Sequence, residues 1–216
     1  MAVHVYDVIA FTETWFNNDD DSNLIDFDNY SKLDCIRYGR NGGGTSLLIH
    51  PKHNFIRRPD LKINATDCDS IFVEIPGQDI IVGTIYKPDY VDFDQFIAQI
   101  ESVLYTITKE RKRCYIAGDF NLDLLKYDRS VPVNTFINLM YAYYFFPCID
   151  RPTRVVPGPN GTSISLIDNI FTNDINHKLN SGNLVTDLSD HFPNCVSIKE
   201  RRFTNTNTNK SKPIYK

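Results

Sequence analysis

The chain has 216 residues, 42% of them hydrophobic, a length and apolar content that suit one globular unit with a sizeable core and argue against a disordered or fibrous chain. No run of about eighteen apolar residues occurs, and the opening "MAVHVYDVIAF" lacks the basic region and small-residue cleavage site of a secretory signal, so neither a membrane span nor export is predicted. The net charge of −4 is uneven: residues 199–216 hold six Lys/Arg and one Glu, a charge of +5, which leaves −9 on residues 1–198 and excludes a protein that grips nucleic acid mainly by neutralising phosphates, unless clustered carboxylates hold cations.

In chain order, "VYDVIAFTETW" is a near-continuous, β-branched apolar run that ends in the polar loop "NNDDDSN", and it predicts a buried strand. "GGGTSLLIHP", "DSIFVEIPG" and "DIIVGTIYKP" follow as successive antiparallel strands, the second alternating Ile71, Val73 and Ile75 against Phe72 and Glu74. From Asp92, Phe93, Phe96, Ile97, Ile100, Val103, Leu104 and Ile107 form a helical stripe, with Asp92 or Asp94 as its cap. That helix leads into the strand "CYIAGDFN". A second helix is predicted in "VPVNTFINLMYAYYF", then a Pro-rich turn, the strand "SLIDNIFTN" and a last strand in "FPNCVSIKE". Interleaved helices and strands predict an α/β (α+β) sandwich over residues 1–198, followed by a basic polar tail or linker at 199–216.

Polar residues interrupt these apolar runs near their ends: Glu13 in "FTETW", Tyr86 in "TIYKP", Asp119 and Asn121 in "GDFN", Asp168 and Asn169 in "LIDNIF", and Asp190 with His191 in "LSDHFP". One acid at a strand end is a turn former, but several carboxylates gathered without countercharge would each cost several kcal/mol, so a set implies a bound metal or a titrating role. Carboxylates and an amide oxygen are hard ligands suited to Mg2+ or Mn2+, and a His beside an Asp can serve as an imidazolium or a proton donor. Phosphodiester hydrolysis needs these parts, because it must neutralise phosphate charge, orient a water and stabilise the departing oxygen.

Other chemistries fit less well. No GxSxG occurs, and Ser189 in "SDH" lacks the setting of a nucleophile elbow. The five histidines never form HExxH, and His50 and His53 read as surface polar residues. Cysteines 35, 68, 114, 148 and 195 never form a CxxC pair, which argues against a zinc knuckle or a disulfide framework. Asn169 reads as structural, Asp123 as a turn cap, Trp15 and Phe16 as core, and Arg37, Arg40, Lys87 and Lys126 as solvated or backbone-contacting cations.

The ordered set "TETW", "GGGTSLLI", "IYKP", "AGDFNLDL", "LIDNIFTN" and "SDHFP", spread over residues 7 to 198, resembles the endonuclease/exonuclease/phosphatase superfamily, and specifically the endonuclease domain of non-LTR (LINE-type) retrotransposons. The resemblance implies a four-layer sandwich of two mixed β-sheets flanked by helices and a metal-dependent DNA endonuclease that nicks DNA for target-primed reverse transcription. It implies Glu13 as the main metal-binding residue, with Asp190 a further acid near the metal. Asp119 would orient or deprotonate the attacking water, Asn121 would steady water and phosphate, and Tyr86 would hydrogen-bond a phosphate oxygen. Asp168 would orient and charge the catalytic His191, and Thr153 in "RPTR" corresponds to a phosphate-contacting threonine. Mg2+ is the implied cofactor, with Mn2+ as a substitute, and DNA is the implied partner, with a reverse transcriptase domain C-terminal to this chain in a parent protein.

The family's opening strand, which carries an Asn, and the helix after it have no counterpart before "DVIAFTETW", so that strand is expected to be missing. A second reading follows: a catalytically impaired or domesticated fragment that keeps the fold as a binding or relic protein. A nicking element would act in the nucleus or elsewhere inside the cell.

Overall fold

The computed structural model describes residues 6–23, 27, 29–39, 41–159 and 161–199. Arg40 and the tail beyond residue 199 lie outside these residues, as does the expectation about the family's opening strand. The described chain runs β1 (Val8–Thr12), α1 (Asp19–Asn23), β2 (Ser31–Cys35), β3 (Thr45–Ile49), β4 (Ile56–Arg57), β5 (Asp69–Ile75), β6 (Ile80–Tyr86), α2 (Phe93–Glu110), β7 (Arg113–Asp119), α3 (Val131–Ala142), β8 (Phe146–Pro147), β9 (Arg154–Gly158), β10 (Gly161–Ser165), β11 (Asp168–Thr172), β12 (Lys178–Asn183) and β13 (Asn194–Lys199). The mixed α/β sandwich expected from the sequence is present, and the structure fills in strands whose composition hid them. In β2, "SKLDC", Leu33 is the one buried apolar side chain, and β12, "KLNSGN", is mostly polar. The segment read as a Pro-rich turn contains the β9–β10 hairpin.

One layer is a six-stranded mixed sheet in the order β4-β5-β6-β7-β11-β8. Only β6 and β7 pair in parallel, and a parallel pair needs a crossover, which α2 supplies. The Asp92 carboxylate starts that helix by accepting the Gln95 N–H at 2.8 Å. Phe96, Ile100, Val103, Leu104 and Ile107 of α2 and Val133, Phe136, Ile137 and Met140 of α3 then bury against the sheet's outer face, where they meet Phe72, Ile81, Ile85, Ile116 and Phe171. Phe120 sits among Phe136 and Phe171, with ring centroids 5.2 and 5.3 Å away, and so pins the chain between Asp119 and Asn121.

The second β layer, antiparallel throughout among the described residues, covers the opposite face in two pieces. The β1-β3-β2 sheet packs Val8, Ala10, Leu33, Leu47 and Ile49 against Ile71, Val73 and Val82. The β12–β13 pair packs Leu179, Val196 and Ile198 against Ile80, Tyr115 and Ile170. A strand turns alternate side chains to opposite faces, so in β6, β7 and β11 the residues in phase with Ile80, Tyr115 and Ile170 face this second layer. Tyr86, Asp119 and Asp168 are in that phase.

Gly118 holds the strands together just before Asp119, because a Cβ there would press into the Ile85 carbonyl oxygen, well inside contact distance. Gly118→Ala is expected to lower stability by about 2 kcal/mol, whereas Gly77→Ala, where a Cβ meets nothing within 4 Å, should stay near the wild type. Urea unfolding of the two variants checks this.

Candidate active site

Three neighbouring strands end at the same level. The parallel register pairs Tyr86 with Asp119, and the antiparallel register pairs Asp119 with Asp168. Together with the shared phase, this sets a phenol and two carboxylates side by side at one end of the sandwich. His191 joins them through an isolated bridge with Arg154, and its Nδ1 lies 3.1 and 2.9 Å from the two Asp168 carboxylate oxygens. A carboxylate can only accept, so the proton of that bond sits on Nδ1 and leaves Nε2 for other work.

Burial and crowding set the charges. Asp119 is 4% exposed, and its carboxyl is raised to about 7, first by burial and then by the charge of Asp168, with Glu13 adding to the effect. The Asn121 N–H, 2.9 Å from Asp119 Oδ1, and the nearby His191 pull the other way. His191 is raised above its ordinary range, chiefly by its hydrogen bond to Asp168. Tyr86 is pushed up by burial and by donating to Glu13 Oε1, so it stays a hydrogen-bond donor at neutral pH.

Glu13 enters from the second layer, where Thr12 pairs with Thr45 and the Thr45 and Thr84 hydroxyls bridge the layers at 3.1 Å. Its backbone is left-handed, with φ of 54°, as is that of Trp15 at 58°. The glycine triplet receives this turn: Gly42, Gly43 and Gly44 all have φ near 80°, which only glycine adopts freely. The Gly43 carbonyl accepts the Trp15 N–H at 2.9 Å, and the Gly44 N–H donates to Asp69 Oδ2 at 2.8 Å. Asp69 also pairs with Arg37 at 2.8 Å, and the Arg37 guanidinium lies 5.6 Å from the Tyr86 ring centroid. This buried pair therefore backs both Tyr86 and the loop that carries Glu13.

Among the described residues, Asp119, Asp168 and His191 form a group whose ligand atoms all lie within 4.8 Å of one another. Two carboxylates, one of them with its proton held on by burial and then by its neighbours' negative charge, make a donor set that a hard divalent cation relieves, so these residues fit such an ion.

Of the residues singled out from the sequence, Tyr86, Asp119, Asn121, Asp168, His191 and Glu13 converge here. Asn121 does so from the loop that follows the strand. It follows β7 in a left-handed conformation, φ 48°, and its side-chain amide donates to the Lys87 carbonyl at 3.0 Å. Two others stand apart from this group. Asp190, expected near a metal, is exposed and bound to Arg154 Nε at 2.7 Å, which holds its carboxyl below the usual range. Thr153, expected to touch phosphate, is fully buried, and its hydroxyl accepts the Ile167 and Asp168 N–H groups, both at 3.2 Å, so it positions Asp168 from behind.

Other expectations divide similarly. Asp123 accepts the Leu125 and Leu166 N–H groups, Asn169 braces Ile149, and Phe16 is buried, as anticipated. Lys126 pairs with Asp123 at 3.1 Å. Lys87 is not a solvated cation: it is 3% exposed, and burial lowers its pKa. Trp15 is not core but 59% exposed. The Arg37–Asp69 pair was not foreseen, since its partners are 32 positions apart and neither interrupts a motif.

The chain belongs to the endonuclease/exonuclease/phosphatase family, whose sequence model matches residues 2–191. Its hydrolytic nucleases and phosphatases share the sandwich described above. The fold is similar to the endonuclease domain of TRAS1, a telomere-specific non-LTR retrotransposon, with a TM-score of 0.62 and 14% identity over 82% of this chain and 83% of that one. The 3′-5′ exonuclease NExo from Neisseria meningitidis gives a TM-score of 0.66 at 14% identity, covering 90% of each chain. TDP2 of D. rerio, in complex with a single-strand DNA product, gives 0.59 at 15% identity, over 86% and 83%. No curated protein matches by sequence. At these identities the structural likenesses establish the fold. Among the described residues no helix is long and apolar enough to cross a membrane.

A carboxyl whose folded pKa is raised binds its proton more tightly folded than unfolded. Its stabilising effect is therefore present at low pH and lost as pH rises from the ordinary carboxyl range through about 7. Raised His191 acts in the same direction. In EDTA, stability should fall over that window, and Asp119→Asn should flatten the fall and exceed the wild type by about 2–4 kcal/mol near pH 8. Denaturant melts across the window measure both.

Proposed function

We propose that this protein is a Mg2+-dependent endonuclease that hydrolyses a phosphodiester bond in DNA, with Mn2+ able to replace Mg2+. The observation that carries the reading is the side-by-side placement of Tyr86, Asp119 and Asp168, with His191 held on Asp168. A divalent cation held by Asp119 and Asp168, with Glu13 close by, would supply charge neutralisation at the phosphate. Asp119 would accept the proton of an attacking water beside that cation. Asn121, its side-chain N–H held on the Lys87 carbonyl, would steady that water and the phosphate through its amide oxygen. Tyr86 offers a hydroxyl donor that can pass from Glu13 to a phosphate oxygen, and His191, charged through Asp168, can stabilise the developing oxyanion through Nε2.

The family membership and the TRAS1 likeness favour nicking of duplex DNA to expose a primer end for reverse transcription. In that setting the basic tail would lead toward a reverse transcriptase domain, and the protein would work in the nucleus or elsewhere inside the cell. A supercoiled plasmid with Mg2+ tests the reading. The wild type is expected to nick at least about 100-fold faster than Asp119→Ala or His191→Ala, and EDTA should abolish the difference. Equal rates for all three would instead make this chain a non-enzymatic relic of its family.

A further inference from the structure

Trp15 has its indole edge at the candidate site and its bulk in water. Its Nε1–H lies 3.4 Å from Glu13 Oε2, yet the residue is 59% exposed, while its neighbour Phe16 is 7% exposed and anchors the loop. Among the described residues no aromatic ring stacks on it and no cation sits over it. Leaving an indole in water forgoes the largest burial gain any side chain offers. The backbone that turns it outward is itself costly, with left-handed conformations at both Glu13 and Trp15, held by the Gly43 carbonyl. A strained turn that exposes an aromatic plane beside a catalytic carboxylate is spent on a ligand rather than on the core.

The chemistry of that ligand follows from charge. Residues 1–198 carry −9, part of it concentrated at the site in Glu13, Asp119 and Asp168, so phosphate contacts alone hold a nucleic acid weakly here. Stacking is an uncharged source of affinity, and any nucleobase offers a face for it. We infer that Trp15 is a base-stacking subsite, which takes an unpaired or unstacked nucleobase next to the phosphate held at the Glu13 side of the site. This rests on the nuclease reading above and sharpens its substrate to DNA with a base available outside the helical stack.

Trp15 is the single tryptophan of the chain, so all indole emission reports on this one position. The full chain, with Ca2+ present to screen the carboxylates, is titrated with a short oligothymidylate and with an abasic deoxyribose-phosphate chain of the same length and charge. The base-bearing strand should quench Trp15 emission and bind at least about five-fold tighter than the abasic one. By anisotropy of a labelled strand, Trp15→Phe should keep most of that preference and Trp15→Ala should lose it, with thermal melts of both near the wild type. Equal affinity for the two strands, or unchanged emission on binding, overturns the subsite and leaves the nuclease reading standing. Equal losses in Trp15→Phe and Trp15→Ala overturn it too, because they would make the indole N–H a support for Glu13. Binding of neither strand overturns the subsite together with nucleic acid as the substrate.

Discussion

Strand register is the constraint on which the rest of the molecule depends. A one-residue slip of β7 against β6 or β11 would turn Asp119 toward the helices and bury its carboxylate among Phe96, Phe120 and Phe136, where nothing could answer its charge. Apolar alternation forbids the slip. Cys114 and Ile116 must meet the α2–α3 layer while Tyr115 and Ala117 meet the β12–β13 layer. Packing that has no chemistry of its own therefore fixes the chemistry at the strand end, and Phe120 and Gly118 lock it from either side of Asp119.

The two β layers then contribute different things. The six-stranded sheet brings Tyr86, Asp119 and Asp168 to one level. The second layer brings Glu13 on a strained turn seated in the glycine triplet, which the buried Arg37–Asp69 pair supports. The site is unfavourable to the fold in isolation, since like charges crowd and one carboxyl keeps its proton toward neutral pH. On the proposed function, a bound cation and phosphate would relieve that crowding.

Much of this was legible in the sequence. The apolar runs, the α2 stripe and the polar residues at strand ends gave the sandwich and six of the convergent side chains, because burial imprints periodicity. What stayed hidden has physical reasons. β2 and β12 are half-exposed strands with little apolar alternation, and the β9–β10 hairpin is mostly solvent-facing, so burial left no pattern there. Asp190 and Thr153 carry the right residue types at the right places in the chain. Their roles are set by three-dimensional neighbours, Arg154 in one case and the Ile167 and Asp168 amides in the other. Trp15 misled because an aromatic after an apolar strand ordinarily continues inward, whereas the left-handed turn at Glu13 sends it out.

Whether distant segments converge on one pocket that takes a cation, as proposed, is tested by adding Mn2+ in small amounts to isotope-labelled protein and following paramagnetic broadening of backbone amide signals. The account predicts that the amides of Tyr86, Asp119, Asp168 and His191 disappear first and together, while Ile80, Arg113 and Thr172, at the far ends of the same strands, persist. Broadening centred on another part of the molecule, or scattered without a focus, would contradict it.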